Sequence, residues 1–123
     1  MSGKISDNLG RSSGLIKAGT GAGGGITWNA VVTGTTQTAV AGNGYFINTT
    51  SNVCTVTLPA GVLGNEVAII DYAGTFDSNA LTVAANGSEK IHASTGDLTV
   101  TVERAAFTLV FTDSTQGWLL KDK

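Results

Sequence analysis

Short segments in which apolar and polar residues alternate recur along the chain from residue 26 to its end. The clearest covers residues 53–58, where Cys54, Val56 and Leu58 fall on one side of an extended strand and polar residues fall mainly on the other. The segment Glu66–Asp71 differs, because its four central residues are all apolar. That continuous run predicts a strand buried on both faces.

The same pattern predicts further short strands between turns rich in glycine and asparagine. They cover residues 26–32, 37–40, 45–48, 81–84, 98–102, 107–112 and 117–121, and residues 90–92 are predicted to form a short strand or a bulge. The Asn43-Gly44 and Asn86-Gly87 pairs are typical of tight turns. Strands of this length and spacing predict an all-β protein, a sandwich or jelly roll of about 8–10 short antiparallel strands with an extended N-terminal arm.

Residues 1–25 have a different composition from residues 26–123. They contain 8 of the 17 glycines and carry three basic residues against one acidic residue, whereas residues 26–123 carry four basic and eight acidic residues. The sequence therefore predicts a flexible Gly-rich docking arm over residues 1–25 and a β-rich body over residues 26–123.

Apolar and basic residues recur within this otherwise polar arm. A strip laid on a partner surface uses such anchors, whereas a solvated tail has no need of them. Both interpretations stay open on composition alone. The predicted docking residues are Lys4, Ile5, Leu9, Arg11, Leu15, Ile16 and Lys17. In the body, Val62 and Leu63 form an apolar loop tip and are the predicted oligomer interface.

Charge and hydropathy exclude several kinds of partner. The net charge is −2, which argues against nucleic-acid binding because that requires a basic surface. No apolar run approaches the ~20 residues that a membrane-spanning helix needs. The first ten residues contain no apolar signal core. We expect neither nucleic acid nor membrane as a partner.

The sequence offers few groups for catalysis or for binding a cofactor. It has one histidine, His92, and one cysteine, Cys54, so histidine-based catalysis and cysteine metal sites lack partners. Asp71 and Asp77 flank a turn, in which aspartate ordinarily binds backbone N–H groups. The same loop lacks the Gly and Glu that an EF-hand calcium loop needs. We therefore expect no enzymatic activity, cofactor or metal.

Several segments together resemble a group of phage proteins. Residues 1–18, MSGKISDNLGRSSGLIKA, resemble an N-terminal segment of virion structural proteins from marine tailed phages and cyanophages. The body resembles a β-rich module of their tail fibres and other appendages. The segments that carry this are GNGYFINTTSNVCTVTLPAG, GNEVAIIDYAGTFDSNALTVAANGSEKI and FTLVFTDSTQGWLL. The resemblance covers nearly the whole chain and implies a non-enzymatic virion protein that forms a homotrimer.

The length of the chain distinguishes among the roles that this resemblance implies. A fibre spans distance, whereas this chain has no repeat, coiled-coil shaft or second module. One arm and one small body suit a decoration or cement protein on the capsid surface, with the major capsid protein or another virion protein as partner. A tail-fibre tip or adaptor in host attachment is the alternative. A carbohydrate-binding module is the third, with a host surface glycan as its ligand and Trp28, Tyr45, Tyr72 and Trp118 as the aromatic residues available for stacking.

Overall fold

The computed structural model describes residues 25–121, which form strands, turns and bends. Within these residues lie nine strands: β1 Thr27–Trp28, β2 Thr36–Thr38, β3 Asn43–Ile47, β4 Cys54–Thr57, β5 Glu66–Asp71, β6 Leu81–Ala84, β7 Leu98–Val100, β8 Ala106–Phe111 and β9 Trp118–Leu120. The all-β expectation is confirmed for this part of the chain. No helix that could cross a membrane is found in it.

Most of the predicted strands form where the sequence alternates. In β4 and the residue after it, Cys54, Val56 and Leu58 are buried and Thr57 is exposed. Strand β8 likewise buries every second residue from its Phe107. The alternation follows from the pleat, which turns successive side chains to opposite faces of a sheet.

The strands form two sheets. One sheet has five strands in the order β1-β3-β5-β8-β9, and the other has four in the order β2-β4-β6-β7. From β1 to β6 the chain passes to the other sheet after each strand, so strands two apart in sequence become neighbours. The chain thus winds through three turns. Strand β7 then completes the four-stranded sheet, and β8 and β9 complete the five-stranded sheet.

This winding makes the prediction of antiparallel strands wrong. Four of the seven ladders are parallel: β1–β3, β2–β4, β3–β5 and β4–β6. The other three, β5–β8, β6–β7 and β8–β9, are antiparallel. Parallel neighbours need a crossover connection, and here a strand of the opposite sheet supplies it. A jelly roll is built of antiparallel Greek keys, so its strand order differs from this one.

The inward faces of both sheets share one apolar core. From the five-stranded sheet it includes Ile69 and Trp118, and from the four-stranded sheet Val56 and Leu81, all of them buried. The Trp118 ring packs edge-on against Phe111, with 5.4 Å between ring centroids. Burying such side chains stabilises the fold by about 1.5–3 kcal/mol each.

The Asn43-Gly44 pair lies in strand β3 rather than in a turn, contrary to expectation. Gly42, with a φ of 85°, makes the turn instead. A Cβ on Gly44 would lie 2.5 Å from the Trp28 ring and 2.7 Å from the Ile26 side chain. Glycine is therefore required at position 44 for close approach of side chains from the neighbouring strand, a reason that local turn propensity does not show.

A buried carboxylate ends strand β5. Asp71 is 1% exposed, and one of its oxygens accepts hydrogen bonds from the N–H groups of Gly74 (3.0 Å) and Thr75 (3.2 Å). The other oxygen accepts from the N–H groups of Phe76 (3.1 Å) and Arg104 (2.9 Å). This carboxylate therefore joins the loop after β5 to the turn before β8.

The loop before β4 is tied to the same cluster. The Thr49 and Thr75 hydroxyls lie 2.6 Å apart, and the Asn79 side-chain amide donates to the Thr49 carbonyl at 2.8 Å. Thr49 is fully buried although it is polar, because these bonds replace its contacts with water. Three connections between the two sheets thus meet at one end of the body.

Replacing the buried carboxylate tests this arrangement. Asp71→Ala should lower the free energy of unfolding by about 3 kcal/mol, because four backbone N–H groups lose their acceptor. The measurement is urea denaturation. The matched control is Asp77→Ala, since Asp77 is exposed in the same loop and should change stability little. Equal losses in the two variants would contradict the role assigned to Asp71.

Candidate functional site

The predicted docking residues of the arm, from Lys4 to Lys17, lie outside the described residues. Their role in attachment stays a prediction. The structure describes the chain from Gly25, two residues before β1. It does place the other predicted interface, the loop of residues 59–65 between β4 and β5.

The loop of residues 59–65 holds two large apolar side chains in solvent. Val62 is 63% exposed and Leu63 is 79% exposed. We call this pair the apolar knob. The Gly61 N–H before it donates to both oxygens of the Glu89 carboxylate, at 3.1 and 3.0 Å. Gly61 also lies on the Phe111 ring, to which a Cβ at this position would approach within 2.2 Å.

The other side of the knob is also held by hydrogen bonds. The Asn65 side-chain oxygen accepts from the Val62 N–H at 3.2 Å, and the Asn65 N–H donates to the Val62 carbonyl at 2.9 Å. The Gly64 N–H donates to the Phe111 carbonyl at 3.0 Å. The knob is therefore a structured turn. Its two apolar side chains are exposed because hydrogen bonds hold the backbone of the turn in place.

The outward face of the five-stranded sheet is a second apolar surface, which the sequence analysis did not identify as a site. On this face the Trp28 ring stacks on Phe46, with centroids 4.8 Å apart and planes 27° from parallel. Gly44 lies beneath them and leaves room for the indole. Trp28 stays 43% exposed, so a large aromatic surface faces solvent.

Beside Trp28 runs a shallow groove of about 190 Å³, which we call the outer groove. Its floor includes Ala68 and Ile70 of β5, and its far wall includes Ala106 and Thr108 of β8. The signal for it was the apolar run of β5, which predicted burial on both faces. The structure buries Val67 and Ile69 on the core side and Ala68 on the outward side, where Ile70 remains half-buried.

The four aromatic residues considered for sugar stacking divide into two groups. Tyr45 and Trp118 are buried, at 3% and 0% exposure, and the Tyr45 hydroxyl accepts the Val40 N–H at 2.8 Å. Trp28 and Tyr72 are exposed, at 43% and 50%. Only the second pair is available to a ligand among these four.

The carboxylates that were considered for chemistry occupy separate environments. Both Asp71 oxygens already accept backbone N–H groups, whereas Asp77 is exposed to solvent. Within residues 25–121, no group of three or more His, Cys, Asp or Glu side chains lies close enough to hold one metal ion. The Asp71 environment is the turn chemistry that the sequence suggested.

His92 lies in an exposed tight turn between Ile91 and Ser94. Its φ is 50° and that of Ala93 is 64°, both in the left-handed region that non-glycine residues seldom adopt. The His92 Nε2 atom accepts the Leu120 N–H at 3.0 Å. The ring therefore helps to hold the edge strand β9.

Cys54 is fully buried in the core, on the inward face of β4. Burial raises the pKa of the Cys54 thiol, because the apolar surroundings disfavour the thiolate. The thiolate is the reactive form of cysteine, so this side chain is suited to packing rather than to chemistry.

The reactivity of Cys54 provides a measurement of this environment. A thiol reagent at pH 8 should label the native protein at least about tenfold more slowly than the protein in denaturant. Because the pKa is raised in the folded state, the unfolded chain loses its proton first as pH increases. The contribution of this thiol to the free energy of unfolding is therefore complete below the ordinary cysteine pKa and declines above it. Equal labelling rates would show that Cys54 is accessible.

Neither the family models nor the curated proteins contain a match to this chain. The residues that bear on its function are those of the apolar knob and of the outer groove with Trp28.

Proposed function

We propose that the protein is a non-enzymatic structural protein of a phage virion, a homotrimer that decorates and stabilises the capsid surface through contacts of its arm and body. The observation that carries this proposal is the apolar knob, where Val62 and Leu63 are exposed on a structured turn. Exposed apolar side chains grouped together are typical of surfaces that contact another protein.

The construction of the knob favours binding. Covering one such side chain contributes about 1.5–3 kcal/mol. A loop already held by Glu89 and Asn65 loses little conformational freedom when it binds. A larger part of the free energy gained by burying these side chains therefore contributes to binding affinity than it would in a disordered loop.

The surface around the knob also supports assembly. The sequence has 13% charged residues, and threonines such as Thr57 and Thr101 are exposed in or beside the strands. Copies of a weakly charged surface can approach one another with little electrostatic repulsion. The resemblance of the body to phage appendage modules supports the same role.

The arm adds a second set of contacts in this proposal. Four apolar anchors give roughly 6–12 kcal/mol before ordering costs, and ordering the segment costs a comparable amount. One arm should therefore bind weakly, whereas three arms of one trimer bind together with a gain of about 10²–10⁴ in apparent affinity.

One observation favours a different function. Trp28 lies flat on Phe46 and is 43% exposed, which is the kind of surface on which a sugar ring stacks. A carbohydrate-binding module on a tail appendage would use it to bind a host glycan. In that case Trp28→Ala would abolish glycan binding, and the knob would have no role in attachment.

The number of copies per virion tests the proposed location. Quantitative mass spectrometry of purified particles should find about one hundred copies or more, because decoration follows the symmetry of the capsid lattice. A few copies to a few tens would place the protein in a tail appendage and contradict decoration. Absence from washed particles would contradict a virion role altogether.

Substitution in the knob tests its part in trimer formation. At micromolar concentration, light scattering of the native chain should give about three times the 12.4 kDa chain mass. Val62→Ser/Leu63→Ser should shift the mass toward one chain, because the apolar contact is lost. The matched control is Val40→Ser/Val53→Ser, since these two valines are 56% and 55% exposed elsewhere on the body. A native chain that is monomeric at tens of micromolar, or equal behaviour of both variants, would contradict the proposal.

A further inference from the structure

The floor of the outer groove is formed by the outward side chains of β5. The inward side chains of the same strand already lie in the core. Strand β5 is the middle strand of its sheet, with β3 on one side and β8 on the other. Val67 and Ile69 face the core, and Ala68 and Ile70 face the groove. A central strand that is apolar on both faces is typical of sheets covered on both sides. On the outward face Ala68 is 4% exposed, whereas Ile70 is only half-buried and Ala106 is exposed along the groove.

The chain outside the described residues joins the body at one end of this groove. A cleft of about 460 Å³ surrounds the point where the described chain begins, and Gly25, Ile26 and Glu66 are among the residues that line it. Ile26 lines the outer groove as well. The cleft and the groove are thus adjacent, and residue 24 connects to Gly25 beside both.

The segment that precedes Gly25 is long enough to lie in the groove. Strand β5 has six residues and extends for about 20 Å. Residues 17–24, four of which are glycine, can extend over roughly 26 Å. Glycine permits the chain reversal that such a path requires. Leu15 and Ile16 are the first large apolar residues that this tether brings to the groove.

We propose that the segment around Leu15 and Ile16 of the same chain folds back onto the outer groove and places these two side chains over Ile70, beside Trp28. The groove is lined by apolar residues and threonine, without a charged side chain, which fits this apolar pair rather than the basic residues near it. A short tether gives the segment a millimolar effective concentration, well above the micromolar concentration of a second copy. The groove is therefore more readily occupied by the segment of the same chain than by that of a second copy.

This inference concerns the isolated chain and does not require the virion role. If both hold, the groove and the virion partner compete for the same apolar anchors. The free protein then covers its own apolar face, and attachment requires the segment to leave the groove. The arm would bind its partner more weakly than its anchors alone suggest.

Disulfide formation between two introduced cysteines tests the proposal in the full chain. In a Cys54→Ala background, Gly14→Cys is paired with Ala106→Cys, because Ala106 is exposed on the groove wall. The control pairs Gly14→Cys with Val40→Cys. Val40 is 56% exposed and precedes the Ala41-Gly42 turn that lines the cleft at Gly25, so the tether reaches it as easily.

Because a disulfide forms only when the two Cα atoms come within about 7 Å, docking should favour one pair. We expect a bond within one chain to form about tenfold faster with Ala106→Cys than with Val40→Cys. Adding Leu15→Ser/Ile16→Ser should remove the difference. If Ala106→Cys disturbs folding, Thr108→Cys replaces it on the same wall.

Two outcomes would overturn the proposal. Equal rates for the two pairs would mean that the segment has no preferred place on the body. A bond chiefly between two chains, seen as a doubled mass on a non-reducing gel at low protein concentration, would assign the groove to a second copy. Neither outcome bears on the virion role, which the copy number tests separately.

Discussion

The Asp71 carboxylate accepts four backbone N–H groups at the end of β5, and the arrangement of the loops at that end depends on it. Three of these groups belong to residues 74–76, and the fourth belongs to Arg104. Fixing residues 74–76 places Phe76 in the core, where it is fully buried. Fixing Arg104 sets the turn from which β8 returns beside β5. One side chain thus couples the loop after the last parallel strand of the five-stranded sheet to the antiparallel strands that follow.

The winding of the chain explains why both faces of one sheet are apolar. Each strand from β2 to β5 serves as the crossover between the two parallel strands on either side of it, so the two sheets grow together around one core. Strand β5 lies in the centre of its sheet, with β8 antiparallel to it. Its inward residues fill the core, and its outward residues, Ala68 and Ile70, form the floor of the outer groove. Ala68 is already buried there, whereas the half-buried Ile70 leaves apolar surface that another segment can contact.

The two apolar surfaces differ in the way they can be used. The knob projects from a turn held by Glu89 and Asn65, so it suits insertion into a partner. The outer groove is concave and lies beside the point where the arm begins, so it suits an apolar strip attached to the same chain.

The sequence by itself determined where most of the strands form, since alternation of side chains is a local property. It predicted Glu66–Asp71 with the bounds that the structure has, the buried side of β4 and the exposure of Val62 and Leu63. It also indicated, through the apolar run of β5, that a second face would be covered. None of these conclusions requires knowing which strands are neighbours.

Only the tertiary structure decided which strands pair and in which direction. A period of two residues is the same in parallel and antiparallel strands, so the sequence pattern could not show that the chain crosses between sheets. The outer groove was hidden for the same reason, because Trp28, Ala68 and Thr108 come from three strands that are distant in sequence. Gly44 was assigned to a turn because the Trp28 ring above it is a contact between strands, which local propensity does not contain.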